Sequence, residues 1–173
     1  MNKKLLVIID YQNDFVDGTL GFTDSVNLYP FIKNKILKEE ENQSDIIFTK
    51  DTHDHDYVNT LEGKLLPIKH CIKGTNGHDL YKDLEEMSKS HLVLEKDTFP
   101  CKDFYKVLEN RFYEEIEIIG VVTDICVISN AVILKSIYPN SRIIVNSKLV
   151  ASNNKEMESK AFDLIRNLHM DVI

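Results

Sequence analysis

Apolar residues recur along this chain in short, nearly unbroken runs separated by stretches of helical period. The runs cover residues 5–10 (LLVIID), 45–50 (DIIFTK), 91–95 (HLVLE), 115–120 (EIEIIG), 142–146 (RIIVN) and 170–173 (MDVI). A half-exposed strand alternates apolar with polar residues, whereas a continuous apolar run belongs to a strand covered on both faces. Between the runs lie amphipathic segments, the clearest at 153–168, where Met157, Ala161, Leu164, Ile165 and Leu168 fall on one stripe. This βαβα order predicts a three-layer α/β/α fold around a mostly parallel sheet of about six strands.

Residues 125–138 form a second helical segment, opened by Thr123 as a cap and stopped before Pro139. It is apolar on most faces, which predicts burial at the centre of the molecule. The stretch 52–77 differs: rich in His, Asp, Gly and Lys and without period, it is too long for an idle connection. No repeat, linker or low-complexity tract divides the chain, so a single domain over 1–173 is expected.

Composition narrows the function classes. Apolar residues are 43% and charged residues 28%, ordinary for a globular protein. The net charge of −7, without a basic stripe, argues against nucleic acid as a partner. No apolar stretch approaches the roughly 20 residues that span a bilayer. The amino terminus runs into a strand pattern without a cleavage site, so no membrane partner and a cytoplasmic location are expected. The three cysteines are widely spaced and form no C-x-x-C, the pattern of free thiols in a reducing compartment.

Three of the runs end next to reactive groups: Asp10 closes the first, Lys96 follows the third, and Cys126 opens the helix after the fourth. In an open parallel sheet the carboxyl ends of the strands line one crevice, so these groups can converge. Cys126 sits where free helix N–H groups favour an anion, which predicts a thiol pKa below the usual ~8.5. Asp10 could then take the thiol proton and Lys96 could stabilise developing negative charge. Each residue also has a plainer reading: a core cysteine, a loop-capping carboxylate, a solvated lysine. A phosphatase of the haloacid-dehalogenase type would need a second Asp two residues after Asp10, where Gln12 stands.

The loop after the second strand carries Asp51, His53, His55, Glu62 and His70. Asp51 and His53, at i and i+2 on an extended segment, point to one side and could share an ion. Such a mixed nitrogen and oxygen set suits zinc, iron or manganese better than calcium or magnesium, although a polar loop can hold histidines without any metal.

Taken together, DYQNDF at 10–15, DTH at 51–53, EGK at 62–64, HCIKGT at 70–75, KDTF at 96–99 and GVVTDIC at 120–126 resemble the isochorismatase-like cysteine hydrolases, in particular their nicotinamidase/pyrazinamidase branch. The resemblance spans about residues 5–147. It implies a Rossmann-like hydrolase fold, a catalytic triad of Asp10, Lys96 and Cys126, and a metal site using Asp51, His53 and His70. It also implies a cis peptide before Val122, an oxyanion hole from the N–H groups of Val122 and Cys126, and a substrate wall formed by Phe15 and Val122. The implied reaction is hydrolysis of nicotinamide to nicotinate and ammonia. The implied cofactor is a divalent metal, zinc foremost with iron or manganese as alternatives. Homo-oligomers are common in the family. Where that branch places Trp before the third metal ligand, this chain has Leu65, Leu66 and Pro67. A histidine ligand is missing at its usual spacing, leaving Glu62 as the expected fourth ligand and His55 as its competitor. Hydrolysis of another small substrate and a non-catalytic small-molecule-binding role are the alternatives.

Overall fold

The computed structural model describes residues 3–173. Six strands, β1 (Lys4–Ile9), β2 (Asp45–Asp51), β3 (Leu92–Lys96), β4 (Glu115–Val121), β5 (Arg142–Ala151) and β6 (Asp171–Val172), form one sheet in the order β3-β2-β1-β4-β5-β6. Every neighbouring pair runs parallel. The helices are α1 (Asn13–Val16), α2 (Thr23–Glu41), α3 (Leu61–Leu65), α4 (Leu84–Ser88), α5 (Phe104–Val107), α6 (Ile128–Ile137) and α7 (Lys155–Asn167). The strand order reverses between β1 and β4, and a crevice opens at the carboxyl ends of strands at such a point.

The continuous apolar runs are explained by two cores. Leu5, Val7 and Ile9 pack with Ile116, Ile118, Ala131, Leu134 and Ile165 on one face of the sheet. Leu6 and Ile8 pack with Ile119, Ile32, Ile36 and Phe48 on the other. Successive residues of β1 therefore enter opposite layers, and from Leu5 to Ile9 all are buried.

Two helices depart from their expected burial. The segment after β4 begins with a π turn, Thr123–Val127, before α6 proper, and Val132 on α6 is 44% exposed. This helix covers one face of the sheet and is not central; only Asn130, Ala131 and Leu134 of α6 are fully buried. Its start is not capped by Thr123, whose hydroxyl donates instead to Glu158 Oε1 at 2.9 Å. That bond turns Glu158 inward on α7, so the buried stripe there is Glu158, Ala161 and Ile165, while Met157, Leu164 and Leu168 are partly exposed. Asn154 caps α7 by accepting from the Met157 N–H.

Beneath α2 lies a buried ionic cluster. Lys4 and Lys35 each contact both Glu39 and Glu117, at 2.7 to 3.1 Å, with both carboxylates almost wholly buried. Burial alone would raise the Glu39 carboxyl, but Lys35, Ser44 and Lys4 bring it down to about 2. A depressed carboxyl stabilises the fold above its unfolded value and loses that contribution as pH falls to its folded value. Native stability is therefore expected to drop between about pH 4.5 and 2, followed by thermal melts. Glu39→Gln should lose about 3–5 kcal/mol at neutral pH and show a flatter acid slope, since removing one partner leaves buried ammonium groups undercompensated.

Candidate active site

Four strand ends meet over the crevice. β1 stops at Ile9 and the next residue, Asp10, turns into left-handed backbone at φ +46°, which Asp tolerates better than most residues. Its N–H still reaches the Thr49 carbonyl on β2 at 3.2 Å, and the Thr49 hydroxyl donates to Asp10 Oδ1 at 2.6 Å. The carboxylate is thereby aimed at Lys96, the last residue of β3, whose Nζ lies 2.7 Å from Asp10 Oδ2. The same ammonium sits 3.1 Å from Asp51 Oδ1, donates to the Thr98 carbonyl at 3.1 Å, and lies 3.7 Å from Cys126 Sγ. Asp10, Lys96 and Cys126 thus share one buried locus.

Cys126 reaches it because β4 closes tightly on β1. Gly120 takes φ +114°, and a Cβ there would lie 2.1 Å from the Ile9 carbonyl oxygen. The Val121–Val122 peptide bond is cis, and the Val122 carbonyl accepts from the N–H groups of Ile125 and Val127 at 3.3 and 3.1 Å. The Cys126 N–H is not among those donors. Asn130 fixes the turn by donating to the Cys126 carbonyl at 2.8 Å and accepting from the Cys101 N–H at 2.7 Å.

The electrostatics differ from the sequence expectation for Cys126. Burial, reinforced by Asp10 and Asp51, outweighs Lys96 and pushes the thiol well above its ordinary value. Burial also raises the Asp10 carboxyl against the pull of Lys96. Lys96 is held charged, since burial alone would favour its neutral form but Asp10, Cys126 and Asp51 oppose that strongly. A thiol that keeps its proton beside a carboxylate of raised proton affinity needs that carboxylate as a base.

The metal-ligand candidates cluster on the other side of Asp51. His53 Nε2 and His70 Nε2 stand 2.9 and 3.5 Å from Asp51 Oδ2, and Glu62 Oε1 is 3.7 and 3.9 Å from the same two nitrogens. A short parallel bridge between His53 and Ile72 brings the two histidines together, and the Tyr57 ring packs on both. His70 Nδ1 lies 2.8 Å from the Ile68 carbonyl, so the tautomer that donates there leaves Nε2 as a lone pair toward the cluster. His53 Nε2 is buried without a hydrogen-bond partner although it faces a carboxylate oxygen. With both rings neutral, these nitrogens and carboxylate oxygens converge as lone-pair donors, a set that a divalent cation would join. Asp10, Asp51 and Glu62 against Lys96 leave a formal charge of −2, which one divalent ion neutralises. His55 is exposed and lies outside the cluster.

Between the two groups opens a cavity of about 410 Å³ lined by Phe15, Val122, Cys126, His70, Leu66 and Phe99 among others. Phe15 lies with its ring centroid 5.5 Å from that of His70. Leu66 occupies the wall left without Trp. Thr49, Tyr57 and Asn130 were not singled out in the sequence; the visible signals were one hydroxyl within the apolar β2 run and one amide within the apolar α6 run.

An Isochorismatase domain model matches residues 4–173. The isochorismatase family protein PncA of Bacillus subtilis is 33% identical over 95% of each chain. The crystal structure of the pyrazinamidase/nicotinamidase of Streptococcus mutans, 30% identical, superposes with a TM-score of 0.88 over 99% of this chain and 100% of that one. That of the pyrazinamidase of Pyrococcus horikoshii in complex with zinc, 22% identical, shares the fold at a TM-score of 0.84, covering 99% and 98% of the two chains.

Glu62→Gln keeps the size of the side chain but removes a charge from the cluster. Its affinity for added zinc, read by competition with a chelating dye, is expected to fall about tenfold or more, while His55→Ala changes it little. The reverse ranking would move the fourth-ligand role to His55.

Proposed function

The chain belongs to the isochorismatase family, and we propose that it is a nicotinamidase, hydrolysing nicotinamide to nicotinate and ammonia through a thioester on Cys126. The observation that carries this reading is the placement of one buried ammonium against a thiol and two carboxylates, with the His53 and His70 pair beside it. The named activities of its relatives support the same substrate class.

In the reaction, Asp10 removes the Cys126 proton as sulfur bonds to the amide carbon. The raised thiol makes this transfer part of the attack, not a preceding ionisation. The N–H groups of Val122 and Cys126 receive the oxyanion, and Lys96 compensates the negative charge beside it. Protonated Asp10 then gives its proton to the leaving nitrogen, and the C–N bond breaks to release ammonia and leave a thioester. Water enters, its oxygen bonds to the acyl carbon as Asp10 takes one of its protons, and the C–S bond breaks. The proton on Asp10 returns to Cys126, and the product leaves as nicotinate with its carboxyl proton released to solvent.

Asp51, His53, Glu62 and His70 would hold a divalent ion, zinc in our reading. When bound it supplies a Lewis-acid contact for the pyridine nitrogen, which is a matter of orientation and not of water activation. The zinc reported with the Pyrococcus horikoshii protein supports this choice. Phe15 and Phe99 offer apolar ring faces for a flat heterocycle, and Leu66 leaves the third wall aliphatic. Three free thiols suit a cytoplasmic location, and among the described residues no helix is long and apolar enough to cross a membrane.

Ammonia release from nicotinamide tests the reading directly. Cys126→Ala is expected to lower kcat about 10⁴-fold or more, and Asp10→Asn nearly as far because an amide cannot accept the thiol proton. Turnover of other carboxamides but not nicotinamide would keep the chemistry and overturn the substrate. Retained nicotinamide turnover in Cys126→Ala would overturn the covalent route.

A further inference from the structure

Gln12 lies two residues beyond Asp10, is wholly buried, and has no part in the chemistry described so far. The β1–β2 ladder continues to the Asp10 N–H, which meets the Thr49 carbonyl, and then the left-handed turn at Asp10 carries the backbone away. The next rung on β2 falls at Asp51. It is made by a side chain: the Asp51 N–H donates to Gln12 Oε1 at 2.7 Å, and Gln12 Nε2 donates to the Asp51 carbonyl at 2.8 Å. The second Nε2 hydrogen goes to the His78 carbonyl at 2.9 Å, and the Gln12 N–H goes to the Asp10 carbonyl at 2.8 Å. One primary amide thus replaces a peptide unit, with a donor and an acceptor in the positions a third strand residue would offer.

What it holds is the carboxylate that the two halves of the site share. Asp51 gives Oδ1 to Lys96 and Oδ2 to His53 and His70, so a rotation of its backbone would move both sets of contacts. Its other edge is fixed by the pairing of β2 with β3, where Asp51 lies opposite Lys96. Gln12 closes the remaining edge. We infer that Gln12 is a positioning residue that sets the direction of Asp51 and so joins the turn carrying the base to the metal-ligand cluster.

The inference rests on the metal site of the proposed nicotinamidase, and its chemistry is specific to an amide. Glutamate at the same position keeps the length but has no hydrogens for two carbonyl oxygens. Leucine leaves one N–H and two carbonyls buried without partners. Both substitutions act on Asp51 without touching a ligand atom.

The test compares zinc affinity of the native chain with that of Gln12→Glu and Gln12→Leu, by competition with a chelating dye well below the unfolding midpoint, with circular dichroism to confirm the fold. Both variants are expected to bind zinc about 10 to 100 times more weakly, the range for loss of groups that orient metal ligands. The KM for nicotinamide is expected to rise by a larger factor than kcat falls. Zinc affinity within about twofold of native, with only the melting temperature lowered, would assign Gln12 to fold stability alone and overturn the inference. Failure of both variants to fold would do the same. A native chain that takes up no zinc would overturn the metal site itself, an outcome distinct from native binding that the variants retain.

Discussion

The Lys96 ammonium is the interaction on which the rest of the site depends. It is taken almost completely out of water, a placement that an isolated charge does not survive without a change of protonation state. Asp10 and Asp51 keep it charged, and it in turn permits two carboxylates to lie close together without solvent between them. Losing one partner of such a buried set typically costs about 3–5 kcal/mol, because the others remain uncompensated. The arrangement is consequently a unit in which no member can titrate independently.

That unit explains why Cys126 is not an open thiolate. Cys126 is buried, and that burial, reinforced by Asp10 and Asp51, outweighs the ammonium, so the proton stays on sulfur until a substrate carbon is in place. A low-pKa thiolate would be exposed to adventitious alkylation and oxidation. In the proposed mechanism reactivity is coupled to proton transfer toward Asp10, and the same proton serves the leaving nitrogen later. The Asp51 carboxylate extends the unit sideways, since its second oxygen belongs to the histidine cluster.

The sheet makes this economy of residues feasible. All neighbouring strands run parallel, so their carboxyl ends lie at one edge, and the reversal of order between β1 and β4 opens space there. Asp10, Asp51 and Lys96 come from adjacent ends of β1, β2 and β3, while the tight passage of Gly120 against Ile9 delivers Cys126 from the fourth.

The strands, the parallel sheet and the convergence of Asp10, Lys96 and Cys126 were legible in the chain, because apolar continuity reports burial on both faces and each of these groups stands at or shortly after the carboxyl end of a strand. Asp51 and His53 were legible together, since alternation along an extended segment is a local property. Other features depended on contacts between distant segments. Thr123 looks like a cap but bonds Glu158, and that choice rotates the buried stripe of α7. The helix dipole suggests an acidic thiol at Cys126, whereas burial among carboxylates reverses the direction. Glu62 was the expected fourth ligand with His55 as its competitor, and the fold of the loop sets Glu62 beside the histidines and His55 in solvent. Local periodicity determined which residues are strand and which polar groups stand at strand ends. Tertiary structure decided their protonation and their partners, because both follow from what is brought near and from how much water is removed.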